Sequence, residues 1–76
     1  MMPTAKSVGM LVRKVRKSIG VTQRDLALTS GTGLRFISDL ENGKATCQLE
    51  KVLTVLNTLG IKVEFTTPAL LKPGMN

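Results

Sequence analysis

Residues 21–44 read VTQRDLALTSGTGLRFISDLENGK, and the signals packed into this stretch decide the fold. Thr22 is a good N-cap residue, and Asp25 stands three residues later as its capping-box partner. Val21 before the cap and Leu26 at the fourth helical position can close a hydrophobic staple around the same helix start. Leu26 and Ala27 face inward and the pattern stops at Gly31, which predicts a helix over residues 23–30. After a short connection a second pattern begins at Thr32 or Gly33. It carries Ile37 and Leu40 as an inward pair at three-residue spacing and closes at Asn42 and Gly43. Two short helices joined by so tight a glycine-containing turn match the helix-turn-helix arrangement, because a left-handed residue lets the second helix cross the first steeply.

Toward the N-terminus, Val8, Leu11, Val12, Val15 and Ile19 recur at three- and four-residue steps, while Arg13, Arg16 and Lys17 share a different face. A helix over about 7–18 follows, stopped by Gly20. Residues 1–5 are a disordered lead-in, and Met10 falls at the edge of the core. Toward the C-terminus, Thr46 is placed to cap a fourth helix. That helix carries Leu49, Val52, Leu53 and Leu56 on one face, with Val55 and Leu59 beside it, and Gly60 ends it. Ile61, Val63 and Phe65 then alternate with Lys62, Glu64 and Thr66, a period-two pattern that reads as a strand over 61–67. Pro68 and Pro73 make residues 68–76 a flexible tail.

The expected fold is therefore all-α: a compact four- to five-helix domain over 6–60 with one C-terminal β-strand. A single strand has no partner in its own chain. Pairing with the same strand of a second copy across a two-fold axis would bury Ile61, Val63 and Phe65 and make a homodimer. The alternative is a tail folded over its own helices.

Composition narrows the function. A chain of 76 residues is one domain with a marginal core, which association would help. Lys and Arg number 11 against 5 Asp and Glu, and the six bases up to Arg24 (Lys6, Arg13, Lys14, Arg16, Lys17, Arg24) meet no acid before Asp25. That asymmetry points to a polyanion-facing surface, with a solvated helix face as the plainer reading. No apolar run approaches the ~18 residues of a membrane span, and no signal-peptide pattern opens the chain. The single Cys47 has no internal disulfide partner, which suits a reducing cytoplasm. With no second cysteine or histidine near it in sequence, inert packing is its expected role. The absence of histidine removes His ligands, Ser–His and Cys–His pairs and the commonest general base. No catalytic residue, metal site or cofactor is expected, and a basic binding module is favoured over an enzyme.

The stretch 21–44 resembles the helix-turn-helix of the XRE, or lambda-repressor-like, family of bacterial DNA-binding proteins. The matching residues are Thr22-Gln23, Leu26-Ala27, Gly31, Ile37, Leu40 and the closing Glu41-Asn42-Gly43-Lys44. The likeness runs over residues 8–60. With the strand and the GKAT…L…VLTVL…LG pattern added, the chain is most similar to HipB-like antitoxins, the DNA-binding partners of HipA-like serine/threonine kinase toxins.

The resemblance implies roles residue by residue. Gln23, opening the second helix, would reach a DNA phosphate or an adjacent base edge, helped by the free N–H groups of a helix start. The recognition helix would lie in the major groove with Gly33, Leu34, Arg35, Ser38 and Asp39 outward. Arg35 can bond guanine O6 and N7 together, Leu34 can meet a thymine methyl, and Ser38 can serve a base or a phosphate. Asp39 either accepts from a cytosine amine or orients Arg35 from one turn away. Gly33 departs from the usual serine or threonine and offers a backbone N–H to phosphate. Asn42 and Lys44 match phosphate-holding positions. Glu41 matches a structural position paired with a basic group in the first helix, Arg16 or Arg13. Phe36 either packs beneath the recognition helix or lies against the sugar–phosphate edge, packing being preferred.

The function implied is a sequence-specific repressor on a palindromic double-stranded DNA operator, acting as the HipB-like antitoxin of a type II toxin–antitoxin operon. It would neutralise a HipA-like kinase and regulate its own transcription. A stand-alone or phage-type XRE repressor would use the same residues. A protein–protein interaction module is the remaining alternative.

Overall fold

The computed structural model describes residues 3–68. They form four helices, α1 (Ala5–Ser18), α2 (Gln23–Ser30), α3 (Leu34–Glu41) and α4 (Leu49–Thr58), and no strand is assigned among the described residues. Of the tail expected over 68–76, residues 69–76 lie outside them.

Each helix start reflects its local chemistry. Thr4, placed in the lead-in by the sequence, instead caps α1 and extends it to Ala5. Its Oγ1 accepts from the Ser7 amide at 3.0 Å, and its own amide donates to Ser7 Oγ at 2.8 Å. A serine at the third position completes this box as a glutamate would. Thr22 and Asp25 form the expected reciprocal pair at α2. Gly31 ends α2 in the left-handed region at φ +72°, which turns the chain into α3. α3 starts behind Gly33 with no side-chain cap.

The core is Val12 of α1, Leu26 and Ala27 of α2, Ile37 and Leu40 of α3, and Val55 and Leu56 of α4. α1 and α2 both pack on α3, and α2 also packs on α4. The α1–α3 crossing is close because Gly9 has no side chain: a Cβ there would stand 2.1 Å from the Leu40 carbonyl oxygen.

Several expectations are corrected. α4 is capped at Gln48 without a side-chain bond, not by Thr46. Its buried residues are Val55 and Leu56, while Leu49 (69% exposed) and Leu53 face solvent. The apolar stripe of α4 is wider than the one core it meets, so part of it stays uncovered. Leu11 and Ile19 share the α1 periodicity yet are exposed, and so is Met10. Cys47 is a free thiol, half-buried against the core. Over 61–68 the chain has no regular secondary structure. Ile61 packs on the core, whereas Val63 (44%) and Phe65 (87%) are exposed. A strand requires the hydrogen-bond ladder of a neighbour, and one copy provides none. Among the described residues, no helix is long and apolar enough to cross a membrane.

Candidate nucleic-acid interface

The outer face of α3 follows from what its inner face buries. With Ile37, Leu40 and Glu41 turned inward, a 3.6-residue period sends Arg35, Ser38, Asp39 and Asn42 to the other side. Arg35 is exposed, Leu34 is 43% exposed at the helix start, and Ser38 and Asp39 are half-buried. Asp39 meets Lys44 Nζ at 3.5 Å, so the local partner envisaged for Arg35 is engaged elsewhere. Phe36 is half-buried against the core, in line with packing, and Lys51 Nζ lies 5.8 Å from its ring centroid.

Gln23, the first residue of α2, is brought to the end of α3 by a buried polar network. Arg16 Nε and Nη2 donate to the two Glu41 carboxylate oxygens at 2.6 and 3.0 Å. Arg16 Nη1 donates to the Val21 carbonyl at 2.8 Å, and Gln23 Nε2 donates to Glu41 Oε1 at 3.1 Å. Of the two candidate partners for Glu41, Arg16 makes the pair. Arg13 acts on it only through its charge. Burial pushes the Glu41 carboxyl up, but the hydrogen bonds from Arg16 and Gln23 and the two arginine charges outweigh it, leaving its pKa below the ordinary glutamate value. The bond to Glu41 in turn holds the Arg16 guanidinium above its ordinary value, against the opposing effect of burial.

After α3 the chain turns through Asn42, whose amide donates to the Ser38 carbonyl at 3.0 Å, and Lys44, whose amide donates to the Asp39 carbonyl at 3.0 Å. This turn lies against the start of α1: a Cβ on Gly43 would stand 2.9 Å from the Lys6 Cα. Lys6 is therefore a neighbour of the Asn42–Lys44 turn, which sequence reasoning missed. The available signal was Gly9, a small residue on the inward side of a helix, where a close crossing fits. Lys6, Arg13 and Lys17, all exposed, follow one side of α1 at seven- and four-residue steps. Gln23, Gly33, Leu34, Arg35, Ser38, Asp39, Asn42 and Lys44 thus lie at the first residue of α2, at the start of α3, on α3 itself or on the turn after it. Ile61, Val63 and Phe65 belong to a separate segment beyond α4. Among the described residues, no group of three acidic, cysteine or histidine side chains could hold a metal ion.

The helix-turn-helix family model HTH_3 matches residues 12–65. The chain belongs to the XRE-type helix-turn-helix family. This XRE-type chain is 51% identical over 65 residues to the uncharacterized HTH-type transcriptional regulator y4mF of Sinorhizobium fredii (strain NBRC 101917 / NGR234), a match covering 86% of each protein. Its fold is similar to that of a HipB variant in complex with an O2 20mer, with a TM-score of 0.78 at 22% identity over 88% of this chain and 93% of that one. The family is one of DNA-binding transcriptional regulators.

Proposed function

We propose that the protein is a sequence-specific DNA-binding repressor that acts as a homodimer on a palindromic operator and serves as the antitoxin to a HipA-like kinase. The observation that carries the DNA reading is the exposed face of α3. Among the described residues Arg35 is exposed with no carboxylate partner, and it shares α3 with Glu41, to which Gln23 is bonded, and with Asp39, which meets Lys44. Arg35, Leu34, Ser38 and Asp39 read bases in the major groove. Gln23, the Gly33 amide, Asn42 and Lys44 grip phosphates, and Lys6 extends that grip along α1. Val63 and Phe65, exposed in one chain, pair with their counterparts and set two recognition helices about 34 Å apart, one helical turn of DNA. The antitoxin role is supported by the sequence resemblance to HipB-like proteins together with the likeness in fold to HipB.

Fluorescence anisotropy on the DNA upstream of its own gene and on a scrambled duplex, each across a salt series, tests the repressor. Its own site binds at least roughly a thousandfold tighter. Affinity falls steeply with salt, at a log–log slope of about −0.9 per phosphate neutralised. Equal, weak, salt-sensitive binding to both duplexes would sink the reading. Co-purification with a kinase encoded beside it tests the antitoxin role. Operator binding without such a partner would leave the stand-alone repressor.

A further inference from the structure

Glu41 is almost fully buried, with its side chain 2% exposed, yet one of its bonds runs to Gln23, a half-buried residue at the surface assigned to DNA. From this geometry we infer that Glu41, fixed by Arg16, is a positioning residue that presets the Gln23 carboxamide for DNA. The inference rests on the DNA-binding reading above.

A carboxylate accepts hydrogen bonds and does not donate them, so Gln23 must turn its NH2 group, not its carbonyl oxygen, toward Glu41. Both Glu41 oxygens are held by the Arg16 fork at 2.6 and 3.0 Å, so the acceptor that Gln23 meets is itself immobile. Arg16 also ties the Val21 carbonyl, two residues before Gln23, to the same cluster. The network thereby fixes both the entry of the chain into α2 and the plane of the first side chain on it. One N–H is spent on Glu41, which leaves a single N–H and the carbonyl oxygen of Gln23 for an outside partner. The remaining N–H suits a phosphate oxygen, which only accepts. Released from Glu41, the amide could turn its oxygen to the phosphate, where two acceptors repel, and ordering it would cost affinity on binding.

A double-mutant cycle reads this coupling. Removing Glu41 alone would strand the Arg16 charge, so both are replaced by apolar residues of similar size, R16M/E41M. Anisotropy on the upstream duplex compares wild type, Q23A, R16M/E41M and the triple variant, with folding of each followed by circular dichroism. The expected result is that Q23A weakens wild-type binding by on the order of tenfold but weakens R16M/E41M by no more than about twofold. An equal loss in both backgrounds, or no loss in either, overturns the positioning role.

A second measurement needs no variant. The chain has two glutamines, Gln23 and the exposed Gln48. In the DNA-free wild type, the side-chain amide order parameter of Gln23 exceeds that of Gln48. Equal mobility of the two would overturn the inference even if R16M/E41M failed to fold. Wild-type protein that bound scrambled and upstream duplexes alike would instead refute the repressor reading, while the amide measurement still judged the Glu41–Gln23 restraint.

Discussion

Arg35 and Glu41 share the eight-residue α3 and do opposite work. The first is exposed to solvent, the second buried and triply bonded. If Arg35 reads a guanine, Arg35→Ala shrinks the preference for the upstream duplex over a scramble by about 1–3 kcal/mol, whereas Lys44→Ala weakens both alike. Anisotropy on the two duplexes separates these patterns, and a uniform loss with Arg35→Ala would reassign it to phosphate. Glu41 is a stability residue first. Glu41→Ala leaves a buried guanidinium uncompensated and costs about 3–5 kcal/mol, while R16M/E41M is close to neutral, as urea denaturation would register. The same carboxylate makes stability depend on pH. Its pKa is lowered by folding, so its contribution is complete above the unfolded-state value and is lost as pH falls through the glutamate range toward the folded value. The melting temperature of wild type should drop over that acid window more than that of R16M/E41M; equal drops would remove Glu41 as the cause. Which arginine pairs with Glu41 was not legible in the sequence. Arg13 and Arg16 are one turn apart, and the choice is made by where α3 crosses α1, at Gly9 and Leu40.

At the scale of the element, what the sequence disclosed was what is written locally. Thr22 with Asp25 and the positive φ of Gly31 are short-range features, and α2 lies where they put it. Thr4 with Ser7 is equally local, but serine is not the customary third-position partner, so the pair carries a weaker sequence signal. The face that α4 buries is not local. Leu49, Val52, Leu53 and Leu56 fit one stripe as well as Val55, Leu56 and Leu59 fit another, and only contact with the rest of the core selects between them. The caps give a clean comparison. Thr22 Oγ1 accepts the Asp25 amide at 3.0 Å, so Thr22→Ala should destabilise by about 1 kcal/mol. Thr46 caps nothing, because α4 starts behind Gln48 with no side-chain bond, so Thr46→Ala should stay within about 0.5 kcal/mol of wild type. Thermal denaturation of the two variants checks this, and equal losses would mean that Thr46 supports α4 in some other way.

At the scale of the whole molecule, the segment after α4 is the part that one chain leaves incomplete. Its alternation of Ile61, Val63 and Phe65 is a strand pattern, yet one chain leaves Phe65 87% exposed and forms no ladder. A sequence can specify the apolar period of a strand, but the hydrogen bonds that make it a strand belong to whatever lies alongside. Beside this segment Leu53, Ile61 and Val63 line an open groove, so the apolar surface left by α4 and that left by the segment are continuous. A small core gains most from covering such surface with a second copy. A dimer formed in this way would have a consequence for DNA as well as for stability. Two linked domains would meet two half-sites, and the second contact would form at the high effective concentration set by the first. The variant V63D/F65D places carboxylates where the apolar pairs would meet. It should sediment as a monomer at concentrations where wild type sediments as a dimer, and lose on the order of a hundredfold or more in affinity for a palindromic duplex. A duplex carrying one half-site should be bound almost as well by the variant as by wild type, because Arg35 and the residues proposed to face phosphate are untouched. The salt slope on the palindrome should fall by about half, since half the phosphates are engaged. Wild type that is monomeric both free and on the palindrome, or a variant that keeps full palindrome affinity, would remove the segment from the interface between copies.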